Sequence, residues 1–295
     1  MKFWLALVSV RESAQLPQIA QSAERSGFHG LMVGDELIRP DRRGARAAAA
    51  GEAPVASETP DPWVLFAHLG GLTRRLRFAS NGYLAALREP LTVAKSVATA
   101  AVLTQGRVVL GVAAGSREEE YRAAHSDFAT RGRRLDELLG AVRELLSGRF
   151  VNHEGAYFAF AGALSPVPAT PVRIWCGGAS EPALQRAARQ DGWLAPPLTL
   201  AQADTAVAAI RIMRRDAGLP ESGFEVALPL AEPVNREAID GLGELGVDDL
   251  IVVAPWLPTP WDGSTWLAGG EDAARVEVKQ ACLERYASAV IHKLQ

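Results

Sequence analysis

The feature that most constrains this chain is a regular alternation of short apolar runs with longer segments of helical periodicity. Eight apolar runs are each followed by a helical segment within 295 residues. Strands that alternate with helices pair in parallel, because each helix returns the chain to the start of the sheet. Eight such units predict a closed (β/α)8 barrel, with a doubly wound open sheet as the alternative. The predicted strands are residues 3–10, 30–33, 76–82, the run within 107–116, 172–176, 192–195, 224–230 and 249–253.

The intervening segments complete the predicted architecture. The sequence predicts a hairpin over residues 150–160 and loop insertions after strands 2, 4 and 8. Because no change in composition marks a linker, we predict one domain over residues 1–295. The predicted helices are residues 13–25, 61–73, 90–104, 131–147, 182–189, 201–217, 236–245 and 272–293.

Two strand ends consist of small residues. Functional groups of a barrel lie where its strands end. The fourth strand breaks into glycine and alanine within residues 107–116, and the fifth ends in a similar turn at 177–180. A backbone without bulky side chains lets main-chain N–H groups approach an anion, typically a phosphate. The alternative is an ordinary strand end whose small residues only make room for packing. The presence of two such turns is stronger evidence for phosphate binding than a single turn would be.

Composition excludes several classes of protein. The net charge is −3, with 31 basic against 34 acidic residues, so no nucleic-acid partner is predicted. Cys176 and Cys282 are too few for a disulfide framework or a zinc cluster, which predicts no metal site and a cytoplasmic setting. The apolar run 3–10 lacks a cleavage pattern and is interpreted as a strand rather than a signal peptide. No apolar run reaches the roughly 18 residues of a membrane span.

Several motifs in order resemble a known family. Residues 76–115 hold a strand, an Arg-Glu-Pro turn, a helix and the strand GRVVLGVAAG, followed later by RGRRLDE at 131–137 and PVRIWCGGA at 171–179. These motifs resemble the luciferase-like monooxygenase superfamily of flavin- and deazaflavin-dependent enzymes, from the first strand to about residue 193. The resemblance implies a (β/α)8 barrel of the bacterial-luciferase type, in agreement with the alternation of elements. It also implies an oxidoreductase with a small-molecule substrate, and it allows a homodimer.

The resemblance also implies where the cofactor binds. The two turns would offer main-chain N–H groups to its phosphate, and Ser80, Asn81 and Gly82 would lie beside its ring. A non-prolyl cis peptide, common in the family, would fall at Asn81–Gly82; a plain Asn-Gly turn is the alternative. The implied cofactor-binding residues are Ser80, Asn81, Gly82, Ala113, Ala114, Gly115, Ser116, Cys176, Gly177, Gly178 and Ala179.

The chain departs from the family pattern after the second strand. The family commonly has Asp-His there, whereas this chain has Asp35 and Glu36. Glu36 is the candidate general acid or base if burial favours its protonated form; the alternative is a surface carboxylate paired with Arg39 or Arg42. Asp35 is the second catalytic candidate, although accepting hydrogen bonds from loop or ring groups is the more natural role for it.

Two loops supply further candidates. Trp256, in the loop after the last strand together with Trp261 and Trp266, is the predicted substrate contact, because aromatic rings can cover a flat ligand; packing against the following helix is the alternative. Four arginines after strand two could meet the acidic tail of a deazaflavin coenzyme, or could simply form a solvated surface. They are Arg39, Arg42, Arg43 and Arg46.

Three functions are compatible with these features. The first is hydride transfer between the deazaflavin coenzyme F420 and an organic substrate. The second is an FMN-dependent monooxygenase that needs a separate flavin reductase. The third is a barrel that binds flavin without catalysis, suggested by the loss of the usual histidine at position 36.

Overall fold

Eight parallel strands close into a barrel in the computed structural model, which describes residues 1–7, 12–38, 58–259 and 262–294. Around the barrel the order is β1, β10, β9, β8, β7, β4, β3 and β2, and β2 pairs with β1 to close it. The prediction of a closed barrel from the alternation is confirmed. The strands are β1 Lys2–Leu7, β2 Gly30–Val33, β3 Arg77–Ser80, β4 Val108–Val112, β5 Val151–Glu154, β6 Ala159–Gly162, β7 Arg173–Gly177, β8 Gly192–Leu194, β9 Glu225–Pro229 and β10 Asp249–Val253.

Helices cover the outside of the barrel, and several begin at the capping residues that the sequence provides. The Asp61 carboxylate accepts the main-chain N–H groups of Trp63 and Val64, and Thr199 forms a capping box with Gln202. Among the described residues, no helix combines the length and the apolar character that crossing a membrane requires. The helices are α1 Leu16–Arg25, α2 Pro62–Leu72, α3 Pro90–Leu103, α4 Glu118–Ala123, α5 Arg131–Leu146, α6 Glu181–Ala188, α7 Leu200–Asp216, α8 Arg236–Glu244 and α9 Val276–Tyr286.

The segment between β4 and β7 carries additional elements. It holds α4, α5 and the antiparallel hairpin of β5 and β6, and this hairpin was predicted. Helix α4 was not predicted, although three glutamates in its first turn complement the positive end of its dipole. The Glu137 carboxylate of α5 fixes the tip of the hairpin by accepting main-chain N–H groups of Ala156, Tyr157 and Phe158.

The lower end of the barrel interior, at the N-terminal ends of the strands, is filled by two tryptophans. The rings of Trp4 and Trp175 meet edge to face with centroids 5.4 Å apart. Each indole N–H is satisfied by a carboxylate, because Trp4 donates to Asp249 and Trp175 donates to Glu225, both at 2.8 Å. The lower end is therefore a packed and hydrogen-bonded plug.

On β4 and β7 the inward-facing residues become small toward the upper end, where the strands terminate. Ala79, Val109 and Trp175 belong to the interior cluster. Since side chains alternate along a strand, the residues two positions further, such as Gly111 and Gly177, also face inward. A Cβ atom at Gly111 would lie 2.0 Å from the Ser80 carbonyl oxygen, so glycine is required for the close approach of β3 and β4.

The prediction of a cis peptide bond at Asn81–Gly82 is wrong. Within the described residues the one cis bond precedes Pro166. Gly82 adopts φ +86° instead, a left-handed conformation that glycine reaches without steric cost. The chain therefore turns at the end of β3 with an ordinary peptide bond.

Candidate active site

The two glycine- and alanine-rich turns lie side by side at the upper end of the barrel. Strands β4 and β7 are hydrogen-bonded neighbours, with Val112 opposite Cys176 at the end of the pairing. The β4 turn (residues 113–116) and the β7 turn (residues 177–180) line one open cavity of about 540 Å³, which we call the rim cavity. Its lining residues are Ala113, Ala114, Gly115, Ser116, Ala129, Arg131, Gly132, Arg133, Asp136, Gly177, Gly178, Ser180, Pro182, Ala183 and Arg186.

Main-chain N–H groups of both turns are available to a ligand. Within the described part of the chain, the N–H groups of Ala114, Gly115 and Ser116 have no acceptor, and neither do those of Ala179 and Ser180. Other amides of these turns are already used: for example, the Ala113 N–H donates to the Tyr83 carbonyl. Ala114 and Gly115 are half-buried, whereas Ser116, Ala179 and Ser180 are exposed. Neighbouring main-chain N–H groups without acceptors are what an anion-binding turn requires.

Glycine conformation shapes both turns. Gly115 has φ +75° and Gly178 has φ +114°, values in the left-handed region that residues with a side chain rarely adopt. The Tyr121 hydroxyl of α4 donates to the Ala114 carbonyl at 2.6 Å and so holds the β4 turn. Burial raises the pKa of Tyr121 to about 12, which keeps this hydroxyl a donor.

Three arginines beside the rim cavity were not predicted as site residues. Arg131 donates to the Gly115 carbonyl at 3.2 Å, and Arg186, which is 5% exposed, pairs with Asp136 at 2.6 Å. Arg133 is exposed and has no polar partner among the described residues. The motif at 131–137 contains two of these arginines and could have indicated them. Helical periodicity, however, assigns a role only to the apolar positions of a helix and none to its charged positions.

Several predicted cofactor residues lie near the cavity without lining it. The Ser80 side chain is fully buried and bonds to the main chain of Gly111. Cys176 points into the outer core, where burial raises the pKa of its thiol to about 12. Ala179 lies within the β7 turn but does not line the cavity, and Asn81 and Gly82 follow β3 beside it.

Asp35 forms a nearly buried, two-pronged ion pair with Arg88. The guanidinium donates to both carboxylate oxygens at 2.6 and 3.0 Å, and the Leu84 N–H donates to one of them at 2.9 Å. Burial alone would lower the pKa of Arg88, but its hydrogen bond to Asp35 and the charge of that carboxylate raise it overall. Asp35 thus anchors the segment that follows β3.

Glu36 lies in a second ion-pair cluster. Its carboxylate, 8% exposed, contacts Arg117 at 2.5 Å, and the same guanidinium reaches Glu120 at 2.6 Å. The Thr59 hydroxyl lies 3.5 Å from the other oxygen of Glu36. Oε1 of Glu120 is buried without a hydrogen-bond partner among the described residues. The cluster links the chain after β2 to the chain after β4, across the end of β3.

The structure does not bring Trp256 to the rim cavity. Trp256 is 6% exposed and lines a separate pocket against α1 together with Lys279, whose Nζ lies 5.9 Å from its ring. Trp266 packs edge to face on Tyr286 of α9. Both rings contact the adjoining helices, and the role of Trp256 as a substrate contact stays a prediction. Trp261 and the four loop arginines, Arg39, Arg42, Arg43 and Arg46, lie outside the described residues.

Comparison with known proteins agrees with this geometry. Residues 5–238 match the luciferase-like monooxygenase family. The chain is 30% identical over 281 residues to the uncharacterized protein Rv0940c of Mycobacterium tuberculosis, covering 94% of each. It is 31% identical over 183 residues to the F420-dependent hydroxymycolic acid dehydrogenase of that organism, covering 60% of this chain and 47% of the dehydrogenase. The crystal structure of the monooxygenase RslO1 from Streptomyces bottropensis aligns over 100% of both chains, with a TM-score of 0.74 and 18% identity.

The fold and the site define a parallel (β/α)8 barrel with an open cavity, lined by two turns and three arginines, where its strands end. The family match covers most of the chain, so the chain belongs to the luciferase-like monooxygenase family and is an oxidoreductase. This relationship supports a flavin or a deazaflavin as cofactor. The resemblance inferred from the sequence is therefore confirmed.

Proposed function

We propose that this protein transfers hydride between the deazaflavin coenzyme F420 and a small organic substrate. The observation that carries the proposal is the rim cavity, where two bare turns on neighbouring strands present free N–H groups beside arginines. The dehydrogenase that is 31% identical over 183 residues is named as F420-dependent, which favours this coenzyme over FMN.

The residues of the rim cavity fit the phosphate of such a coenzyme. A Cβ atom at Gly177 would lie 3.2 Å from the Val112 carbonyl oxygen and 3.7 Å from the Ala113 Cβ, and one at Gly178 would lie 2.9 Å from Ala183. Side chains there would fill the space that the anion needs. Three basic side chains against one acidic side chain give the cavity a net positive charge, which attracts an anion.

The ring of the coenzyme would lie at the mouth of the barrel, beside Asn81 and Gly82. When bound, a deazaflavin exchanges a hydride with the substrate, and a flavin in the same place can also react with oxygen. The chain contributes binding, orientation and proton handling. The Asp35–Arg88 pair fixes the segment after β3, so we assign Asp35 a positioning role.

Glu36 is the group proposed to hold or accept a proton. It follows β2 at the mouth, and its contact with Arg117 orients the carboxylate. A cationic partner stabilises the ionised form of a carboxylate, so proton acceptance suits Glu36 better than proton donation.

The second candidate is an FMN-dependent monooxygenase supplied by a separate reductase. The family name and the monooxygenase RslO1, which shares the fold, favour this alternative. The test is titration of purified protein with F420 and with FMN, monitored by fluorescence, followed by turnover assays with the coenzyme that binds. We expect the tighter binding with F420. Tight retention of FMN without affinity for F420 would overturn the assignment of the coenzyme.

A further inference from the structure

The rim cavity is larger than a single phosphate requires. Its volume is about 540 Å³, whereas a five-atom anion fills on the order of 100 Å³, a few times the roughly 30 Å³ share of one water molecule. The additional space lies toward the start of α5 and α6, because Gly132, Arg133 and Pro182 line the cavity together with the two turns. A coenzyme can therefore extend past its phosphate without leaving the cavity.

The arginines of this region differ in what they already bind. The Arg131 guanidinium donates to the carbonyls of Gly115 and Phe128, and Arg186 is held by Asp136 and the Gly132 carbonyl. Arg133 is exposed and lines the cavity, and its side chain has no hydrogen bond or ion pair among the described residues. Its five donors are thus available to a ligand.

We propose that Arg133 binds a second anionic group of the coenzyme, a carboxylate attached beyond the phosphate. This inference rests on the proposed function and deepens it. FMN ends at its phosphate, whereas F420 continues through a phosphodiester into a chain of glutamates that carries several carboxylates. Arg133 therefore favours a coenzyme with an acidic tail over one without, by a contact that does not involve the reacting ring.

The test compares the Arg133→Ala and Arg133→Glu variants with Arg189→Ala as the matched control. Arg189 is also exposed and without a side-chain partner in the described chain, but it ends α6 away from the cavity. Dissociation constants are measured by fluorescence titration with F420, with its tail-free deazaflavin and with FMN, at low and at high salt. Because Arg133 is exposed, all three variants are expected to fold, and thermal unfolding checks this.

We expect Arg133→Ala to weaken F420 binding about three- to fivefold, the effect of losing one exposed ion pair. Charge reversal in Arg133→Glu should weaken it about tenfold. Binding of FMN and of the tail-free deazaflavin should be unchanged in Arg133→Ala, and Arg189→Ala should match the wild type throughout. The difference in F420 affinity between the wild type and the Arg133 variants should become smaller in 1 M salt, where the screening length is about 3 Å.

Two results would overturn the inference. An unchanged affinity of Arg133→Ala for F420 would show that the tail does not reach this side chain. Equal weakening of F420 and FMN would mean that Arg133 contacts the phosphate itself. A wild-type protein that binds no F420 would instead refute the proposed function, so the two failures are distinguishable.

Discussion

The two ends of the barrel differ in the size of the residues that face its interior. At the lower end, Trp4 and Trp175 fill the interior and bury their N–H groups against carboxylates. At the upper end, β4 and β7 carry the small residues Gly111 and Gly177, and Gly177 lines the open rim cavity. Barrels of this type separate stability from function along their axis. The lower end should therefore govern unfolding, and the upper end should govern binding.

The largest effect is expected from Trp175→Ala at the lower end. Removing a fully buried aromatic side chain leaves a cavity and should cost about 3 to 5 kcal/mol of unfolding free energy, measured by urea denaturation. Asn81→Ala, at the upper end, is the control and should cost less than about 1 kcal/mol, because its side chain is partly exposed. Similar losses in the two variants would contradict the division between the ends.

Gly177→Asp tests the upper end directly. A carboxylate in the rim cavity would occupy the space for an anion and repel it by about 4 kcal/mol at an effective dielectric constant of 20, so coenzyme affinity should fall about a thousandfold. The barrel should still fold, with some loss of stability because the new Cβ atom would lie 3.2 Å from the Val112 carbonyl oxygen, and thermal unfolding measures that loss. Gly140→Asp adds the same charge on α5, where a Cβ atom meets nothing within 4 Å, and should bind the coenzyme normally. Unchanged affinity in Gly177→Asp would remove the β7 turn from the site.

Glu36→Gln is expected to reduce turnover about a hundredfold, the lower end of the range for general acid–base catalysis. The amide keeps the shape of the side chain and a hydrogen bond with Arg117, so coenzyme affinity should stay within about twofold of the wild type. Glu89→Gln, which removes an exposed carboxylate paired with Arg134, serves as the control. If the rate of Glu36→Gln equals that of the wild type in steady-state assays, Glu36 does not handle the proton.

His29, beside Trp4 at the lower end, should make stability depend on pH. Burial, aided by the charges of Arg77 and Lys2, lowers the pKa of His29 to about 4. Because the unfolded chain takes up this proton near pH 6.5, stability should be full at neutral pH and fall as the pH drops toward 4. Between pH 7 and 5.5 the loss should be about 1 kcal/mol.

His29→Gln removes this contribution while other groups continue to titrate. Denaturation curves at several pH values should therefore give a flatter profile for the variant over this interval. Parallel profiles for the two proteins would show that His29 takes up its proton equally well in the folded state.

The sequence predicted the barrel and the position of its rim well, because both follow from local patterns. The conformations of the segment 107–116 and of the turn at 177–180 are determined by residues that are neighbours in the sequence. The closed topology follows from the alternation of strands and helices. Helix α4 was missed because its six residues, rich in glutamate, lack the apolar stripe that marks a longer helix.

Contacts between distant residues could not be predicted. Arg88 and Asp35 are 53 positions apart in the chain, and Arg186 reaches Asp136 from another helix. Nothing in the local sequence around either arginine indicates its partner. The contact of Trp256 with α1 is likewise a long-range one, where burial of apolar area stabilises the fold; the role of Trp256 as a substrate contact stays a prediction.

The most direct test of the central claim is the affinity ratio between phosphorylated and unphosphorylated forms of the same ring. Titration with FMN against riboflavin, two compounds that differ by the phosphate alone, measures what the two rim turns contribute. Because charge-assisted hydrogen bonds to an anion are worth about 1.5 to 3 kcal/mol each, the phosphorylated form should bind at least about tenfold more tightly. Gly177→Asp should abolish the difference. Equal affinity of the two forms for the wild-type protein would contradict joint binding of a phosphate by the β4 and β7 turns.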